Sequence, residues 1–472
     1  MIIKLDTSLV LPKFRLFQSH LTLIGLMLFY LIQGCDQSIE VDPPKTELVS
    51  TTVFEDDRTA KAVMDGVYSR MVGGLGYASG FANSITVKNG LASDELVANG
   101  APDPFYNNNV VPSNSELERY FWEEPYQYIY TVNSILEGLD FSTGVSASLR
   151  EQLQGEALFI RAFCYFYLVN DFGDVPLHLG SDYEANAKAS RSSVNEVYTQ
   201  IISDLSAAET LLGIDFGVSS GERIRPSSWA AKALLARVYL YTEQWDLAEV
   251  KATQLIEHST LFEVLPNANQ VFLKNSSEAI WQLMPVRPNF NTMEGYRFIA
   301  TRAPVSSETV SETLLNSFES GDLRYANWIG SVSNSSGIWY FPYKYKIRLS
   351  SSLAEYSMVL RLAEQYLIRA EARTRLNKLS GALEDLNTIR NRSGLSDSGA
   401  EGSEEILQAI YKERQVELFA EWGHRWYDLK RTGLVDQVLS SVKSQWRYTA
   451  KLYPIPIKEV DRNPNISQNE GY

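Results

Sequence analysis

Residues 233–252, ALLARVYLYTEQWDLAEVKA, decide the fold class. Small residues at Ala236 and Ala248 stand on either side of a polar break, and Tyr239 and Trp245 flank it. Small side chains let two helices approach closely, while the aromatic ones fill the groove between helix pairs. The stretch therefore reads as two helices folded back on each other. Residues 367–386, LIRAEARTRLNKLSGALEDL, repeat the pattern weakly, with Ala370 and Ala382 at the separation of Ala236 and Ala248. The spacing between the two units is irregular, which excludes a simple solenoid.

This pairing resembles the helix–turn–helix grammar of tetratricopeptide repeats. Outward from it, helical periodicity extends along much of the chain. In residues 59–68, Ala60, Val63, Met64 and Val67 share one face. Further helices are expected over 116–139, 148–170, 193–212, 227–258, 357–376, 380–392, 403–422 and 426–432, with Gly173 and Pro176 stopping the second of these. Residues 73–112, rich in Gly, Asn and Pro, read mainly as long loops. The 260–350 region is mixed, with short strands expected at 279–284 and 338–347, and the tail from Tyr453 reads as extended. The expected class is mainly α: tetratricopeptide-like helix pairs forming a scaffold, with an irregular loop-rich half and a few short strands.

The N-terminus addresses location. Lys4, Lys13 and Arg15 precede the apolar run 21–32, which stops at Gly34-Cys35. A basic region, a short apolar region and a small residue before the cut make a secretory signal. The run is shorter than the roughly 20 residues a membrane span needs. A Cys directly after the small residue resembles the lipobox of bacterial lipoproteins, in which that thiol is lipidated. The alternative is an ordinary signal followed by a chance Cys. Residues 36–50 are polar, acidic and carry Pro43-Pro44, as a tether would.

With 44% apolar and 12% aromatic residues the body can bury a sizeable core. The net charge is −14, and without residues 1–34 it becomes −16, with 40 basic against 56 acidic side chains. Such acidity argues against broad nucleic-acid binding. Only Cys35 and Cys164 exist, so no disulfide framework is available if Cys35 is acylated. Cys164 lies in an apolar run and reads as a small buried hydrophobe.

Enzyme signatures are poor. Gly217-Val-Ser219-Ser-Gly221 matches G-x-S-x-G, but Arg223-Ile-Arg225-Pro226 follows where a nucleophile elbow needs a helix. The four histidines, His20, His178, His258 and His424, are far apart and form no zinc motif. Asp461-Arg-Asn463-Pro-Asn465 echoes a calcium loop but lacks its glycine and closing Glu. No metal and no cofactor are expected.

Two aromatic sets carry the candidate ligand site. Phe105-Tyr106-Asn107 lies near Asn99, and Phe290-Asn291 lies near Tyr296, with Trp328 further on. Aromatic faces beside amides suit sugars, whose apolar C–H faces stack on rings while hydroxyls meet polar groups. Trp281 belongs to an apolar strand and reads as core. The interleaved aromatic and basic residues of 339–348 read as strand alternation with one polar face.

Four segments carry a family resemblance. Residues 155–177 (GEALFIRAFCYFYLV through FGDVPL) and 360–372 (LRLAEQYLIRAEA) resemble the central and later helices of SusD/RagB-type proteins. Residues 413–431 (ERQVELFAEWGHRWYDLKR) are similar to the family's E-R-x-x-E-L…G-x-R-x-x-D-L-x-R stretch, with Trp422 where many members have Gly. Residues 452–472 resemble the closing segment. The resemblance implies a signal peptide over 1–34, a lipidated Cys35 and tether over 35–50, and one SusD-like domain over 51–472 with parts of about 51–260 and 261–472. It implies four tetratricopeptide-like helix pairs and a surface lipoprotein of the outer membrane. Such a protein would perform no chemistry; it would capture a glycan and pass it to a SusC-type TonB-dependent transporter. A peptide or glycopeptide cargo is the alternative within binding proteins, and a secreted glycoside hydrolase is the rival from another class. Arg414, Glu417, Arg425 and Asp428 carry the charge pattern of ion pairs bridging helices, a structural role.

Overall fold

A computed structural model describes residues 51–472; the leader, Cys35 and the tether lie outside the described residues. Helix accounts for 52% and strand for 9%, which places the chain in the mainly-α class.

The two repeat units fold as helix hairpins. Ser228–Tyr241 turns back into Trp245–Ile256, and Leu362–Arg375 into Leu379–Arg392. Ala236, Ala248, Ala370 and Ala382 are all fully buried at the helix contacts. The two turns are built alike. Glu243 (φ 57°) and Asn377 (φ 58°) occupy the left-handed region. The following amides reach back identically, Gln244 N to Tyr239 O at 2.8 Å and Lys378 N to Arg373 O at 2.7 Å. These are C-terminal caps in which one left-handed residue lets the chain satisfy orphan carbonyls.

The helices stack in series. Glu124–Phe141 packs on Ala147–Phe172, that on Val194–Leu211, then Ser228–Tyr241 and Trp245–Ile256, each against the next. The chain then leaves through residues 257–361. It returns so that Leu362–Arg375 packs directly on Trp245–Ile256. The helical scaffold is thus continuous in space although broken in sequence. An antiparallel pair, Ala279–Leu283 with Ser357–Arg361, closes the excursion.

Ala147–Phe172 is the central pillar. At 1.5 Å per residue its 26 residues span ~39 Å. Phe159 and Phe163 set their edges against Trp281, and Phe163 and Tyr167 pack on Trp422. Cys164 is fully buried here, and burial pushes its thiol far above the ordinary range. Trp281 is core, as its apolar setting predicts.

Two expectations need correction and one a refinement. The 73–112 segment is irregular over most of its length, but it also holds Ile85–Ala92, a helix whose eight residues are all buried. A helix buried on every side shows no amphipathic stripe, so periodicity could not find it. The helix expected over 357–376 begins only at Leu362, because Ser357–Arg361 is a strand paired with Ala279–Leu283. The 338–347 strand is shorter, with Gly337–Pro342 forming a hairpin with Ile329–Asn334.

The 413–431 motif is the scaffold's clamp. Glu417 accepts from Arg361 at 2.6 Å, from Arg324 at 2.9 Å and from Arg392, all buried. Arg414 donates to Asp428 at 2.7 Å between Gly402–Glu417 and His424–Arg431. Arg425 pairs with Asp94 through two bonds of 2.7 and 2.8 Å. Trp422 sits at φ 47°, where glycine is the ordinary occupant. That conformation costs roughly 1–2 kcal/mol, and it is offset by burial of the indole and its bond to the Met358 carbonyl at 2.7 Å.

Candidate functional site

The aromatic residues expected to face a ligand divide sharply by burial. Phe105 is fully buried, tilted on Phe121 and edge-on to Tyr453, each at 5.3 Å. Trp328 is fully buried too, with its indole donating to the Ala268 carbonyl at 3.1 Å. Asn291 is a structural clip: its Oδ1 accepts from the amides of Ala354 and Glu355, and its Nδ2 donates to Ser352 O. With no accessible surface, these three residues are corrected from ligand contacts to packing residues. Tyr106 is half-buried beneath Lys443, whose Nζ stands 3.7 Å from the ring centre.

Tyr296 instead lines a groove, with Phe290 packed against its ring and Asn99 tied to the loop that walls it. Met293–Phe298 is a short helix capped by Thr292, whose hydroxyl accepts from Gly295 N at 3.0 Å. A Cβ on Gly295 would stand 2.7 Å from the Ile347 carbonyl, so only glycine lets the 345–348 strand of chain lie against the helix. That contact brings Arg348 over Tyr296, 4.4 Å from its ring centre. Phe290 meets Tyr296 edge-on at 4.8 Å, and Phe81 stacks with it at 6.1 Å and 27°. Phe81 reaches the groove across Gly80, at φ 74°, where a Cβ would collide with the Glu294 carboxyl.

The far wall is the loop 299–307. Leu96–Ala98 pairs antiparallel with Glu308–Val310, and Asn99 Nδ2 ties down the loop's end by donating to Ser307 O and Thr309 Oγ1, both at 2.8 Å. Asn99 is thus exposed but engaged in shaping the wall. Arg297 stands over Phe81 and is held by Glu308 through bonds of 2.7 and 2.6 Å. The groove encloses about 270 Å³, with Phe81, Tyr296, Arg302, Arg348, Ser306 and Ser307 among its lining. Tyr106, Asn107 and Phe290 do not line it; Phe290 supports Tyr296 from behind.

Phe81, Arg302 and Arg348 are the site residues that sequence reasoning missed. Arg348 ends the aromatic–basic stretch 339–348, and its sign at the end of an otherwise strand-like segment was the available signal.

A larger groove of about 570 Å³ lies between Glu124–Phe141 and the C-terminal tail, lined by Trp122, Tyr126, Tyr130, His178 and Asn463 among others. Several of its polar groups are committed internally. Tyr126 donates to Pro176 O, Thr131 to Gln127 O and Asn463 to Ala189 O. Burial lowers His178 to about 4, so its ring is neutral. Among the described residues, the smaller groove sets two guanidiniums without ion-pair partners beside clustered aromatic rings and is the candidate ligand site.

Ser219 is not a nucleophile in an elbow. Gly217–Ser219 is a short 3-10 turn, and the Ser219 hydroxyl is taken up by the Phe216 and Glu222 carbonyls. Among the described residues no cluster of three or more His, Cys, Asp or Glu could hold a metal ion, and no helix is long and apolar enough to cross a membrane.

Comparison with known proteins places this architecture. Residues 42–240 match the family model described as starch-binding associating with outer membrane, and residues 319–445 match that of the SusD family. A SusD-like protein of Formosa agariphila is 25% identical over 95% of this chain and 99% of its own length. The starch-binding protein SusD of Bacteroides thetaiotaomicron is 23% identical over 71% and 75% respectively. A SusD superfamily protein from Bacteroides vulgatus superposes with a TM-score of 0.77 at 22% identity, covering 89% of this chain and 100% of that one. A laminarin-binding SusD-like protein superposes with a TM-score of 0.73 at 25% identity and the same coverage. The helix hairpins, the ion-pair clamp of residues 413–431 and these matches along most of the sequence lead to one assignment: this chain belongs to the SusD/RagB family.

Proposed function

We propose that this protein is a non-catalytic glycan-binding lipoprotein, anchored through Cys35 to the outer face of the outer membrane. In this reading it delivers its cargo to a SusC-type TonB-dependent transporter. The observation that carries the binding reading is the aromatic wall of Phe81 and Tyr296, braced by Phe290 and open to a groove with free polar groups. Pyranose rings present apolar C–H faces that stack on such walls, and Arg, Ser and backbone groups at the rim can meet the hydroxyls. The relatives described as starch-binding and laminarin-binding support the same ligand class.

A glycosidase needs two carboxyl groups flanking the scissile bond. The described lining of this groove contains no Asp or Glu, and nearby Glu308 is engaged by Arg297. That favours capture over hydrolysis. The 36–50 tether would let the body hinge over a transporter.

Titration calorimetry against a panel of oligosaccharides tests the reading. Tyr296→Ala is expected to weaken binding by about 1–3 kcal/mol, the scale of losing an aromatic anchor. Unchanged affinity would remove the groove from the site, binding of peptides alone would replace the ligand class, and reducing-end release abolished by one carboxylate substitution would make the protein an enzyme.

A further inference from the structure

The groove beside Tyr296 is basic in an acidic protein. The chain carries a net charge of −14, yet the lining includes Arg297, Arg302 and Arg348 and, among the described residues, no carboxylate. Arg297 is neutralised by its two bonds to Glu308. Among the described residues, neither Arg302 nor Arg348 has a carboxylate within ion-pair distance. The other acids nearby are spoken for. Glu294 is buried behind Gly80 and accepts from the Ser357 hydroxyl. Glu355 accepts the amides of Lys346 and Ile347.

Two guanidiniums therefore stand uncompensated at a wall of stacked rings. Arg cannot shed its proton in a protein, and its planar fork fits a carboxylate or sulfate oxyanion through two parallel bonds. Bonds of that kind are about twice as strong as neutral ones. Arg348 is also held at the Tyr296 ring face, so an acidic substituent and the sugar ring that carries it would be met side by side.

Resting on the glycan-binding reading of this same groove, we propose that it selects anionic saccharides, those bearing a uronic carboxylate or a sulfate ester. The pyranose packs against the parts of the Tyr296 and Phe81 rings that Arg348 and Arg297 leave open, and the acidic group pairs with Arg348 and Arg302.

The test uses the full chain, purified in detergent, and calorimetry with three probes at low and high salt: a neutral glucan oligosaccharide, an oligogalacturonate and a sulfated galactan oligosaccharide. One anionic probe is expected to bind about tenfold or more tightly than the glucan, as a charge-assisted hydrogen bond provides. The advantage shrinks at high salt. The oligogalacturonate and sulfated arms identify which oxyanion is preferred. The double variant Arg302→Gln/Arg348→Gln is expected to lose the preference, with an unchanged thermal midpoint showing that it is folded. Arg58→Gln, a highly exposed cation on the Asp57–Gly73 helix, is expected to keep it. A wild-type protein that binds the glucan as tightly as both anionic probes overturns the proposal, as does a preference that survives the double variant. Glucan binding lost in Tyr296→Ala, without any anionic preference, overturns charge selection alone; no binding of any glycan overturns the underlying reading as well.

Discussion

Glu417→Gln isolates the clamp that joins the scaffold to the irregular half. Glu417 is fully buried and faces three guanidiniums, those of Arg324, Arg361 and Arg392, while its backbone carbonyl also accepts from Arg361 and Lys344. Glutamine keeps the volume and one acceptor oxygen but removes the charge. Breaking a buried pair while its partner charges remain costs about 3–5 kcal/mol, because the cations are left without compensation in a poorly solvated site. Chemical denaturation followed by circular dichroism reads this as a lower midpoint at unchanged slope. The effect has a definite pH dependence. Burial pushes the Glu417 carboxyl up, but Arg392, Arg361 and Arg324 outweigh it and hold the group well below the usual carboxylate range. A depressed carboxylate stabilises the fold fully above about pH 4.5 and loses that contribution as pH falls through its folded value. The gap between wild type and Glu417→Gln should therefore be widest near neutrality and narrow in strong acid. Glu417 does not line the Tyr296 groove, so ligand affinity of the folded variant should be unchanged. A loss below about 1 kcal/mol at pH 7 would refute the clamp.

Tyr106→Ala should leave ligand affinity within about 0.5 kcal/mol, since the ring lies under Lys443 and outside the groove, while stability falls by about 1 kcal/mol from the lost cation–π contact. Burial lifts Glu294 to about 7, so between about pH 4.5 and 7 the folded state holds a proton that the unfolded chain has lost. Stability should fall as pH rises through that window, and Glu294→Gln should flatten this part of the denaturation profile. Cys164 should resist a thiol reagent in the native protein and react on unfolding, because burial keeps it protonated and covered.

Legibility in the sequence followed the physics of each element. The helix pairs at 228–256 and 362–392 were readable because small residues and polar breaks recur at a fixed separation, and the structure repeats even the left-handed turn residue. Ile85–Ala92 was unreadable because it is buried all round and carries Thr86, Val87, Asn89 and Gly90, which are poor helix formers. Within the candidate site, Tyr296 was legible as an aromatic residue in an irregular, polar setting. Phe105 and Trp328 have the same local appearance but face inward, a difference invisible to composition.

By itself, the sequence determined the scaffold: the mainly-α class, the hairpin pairs and the ion-pairing role of Arg414, Glu417, Arg425 and Asp428. These follow from periodicity and charge spacing along contiguous stretches. Only the tertiary structure decided which aromatic residues meet solvent and which cations lack a partner. Phe81, Tyr296, Arg302 and Arg348 come from separate segments and meet because Gly80 and Gly295 permit backbone approaches that no other residue would. Burial and charge pairing are properties of neighbours in space, so a groove assembled from distant loops leaves no periodic trace in the chain.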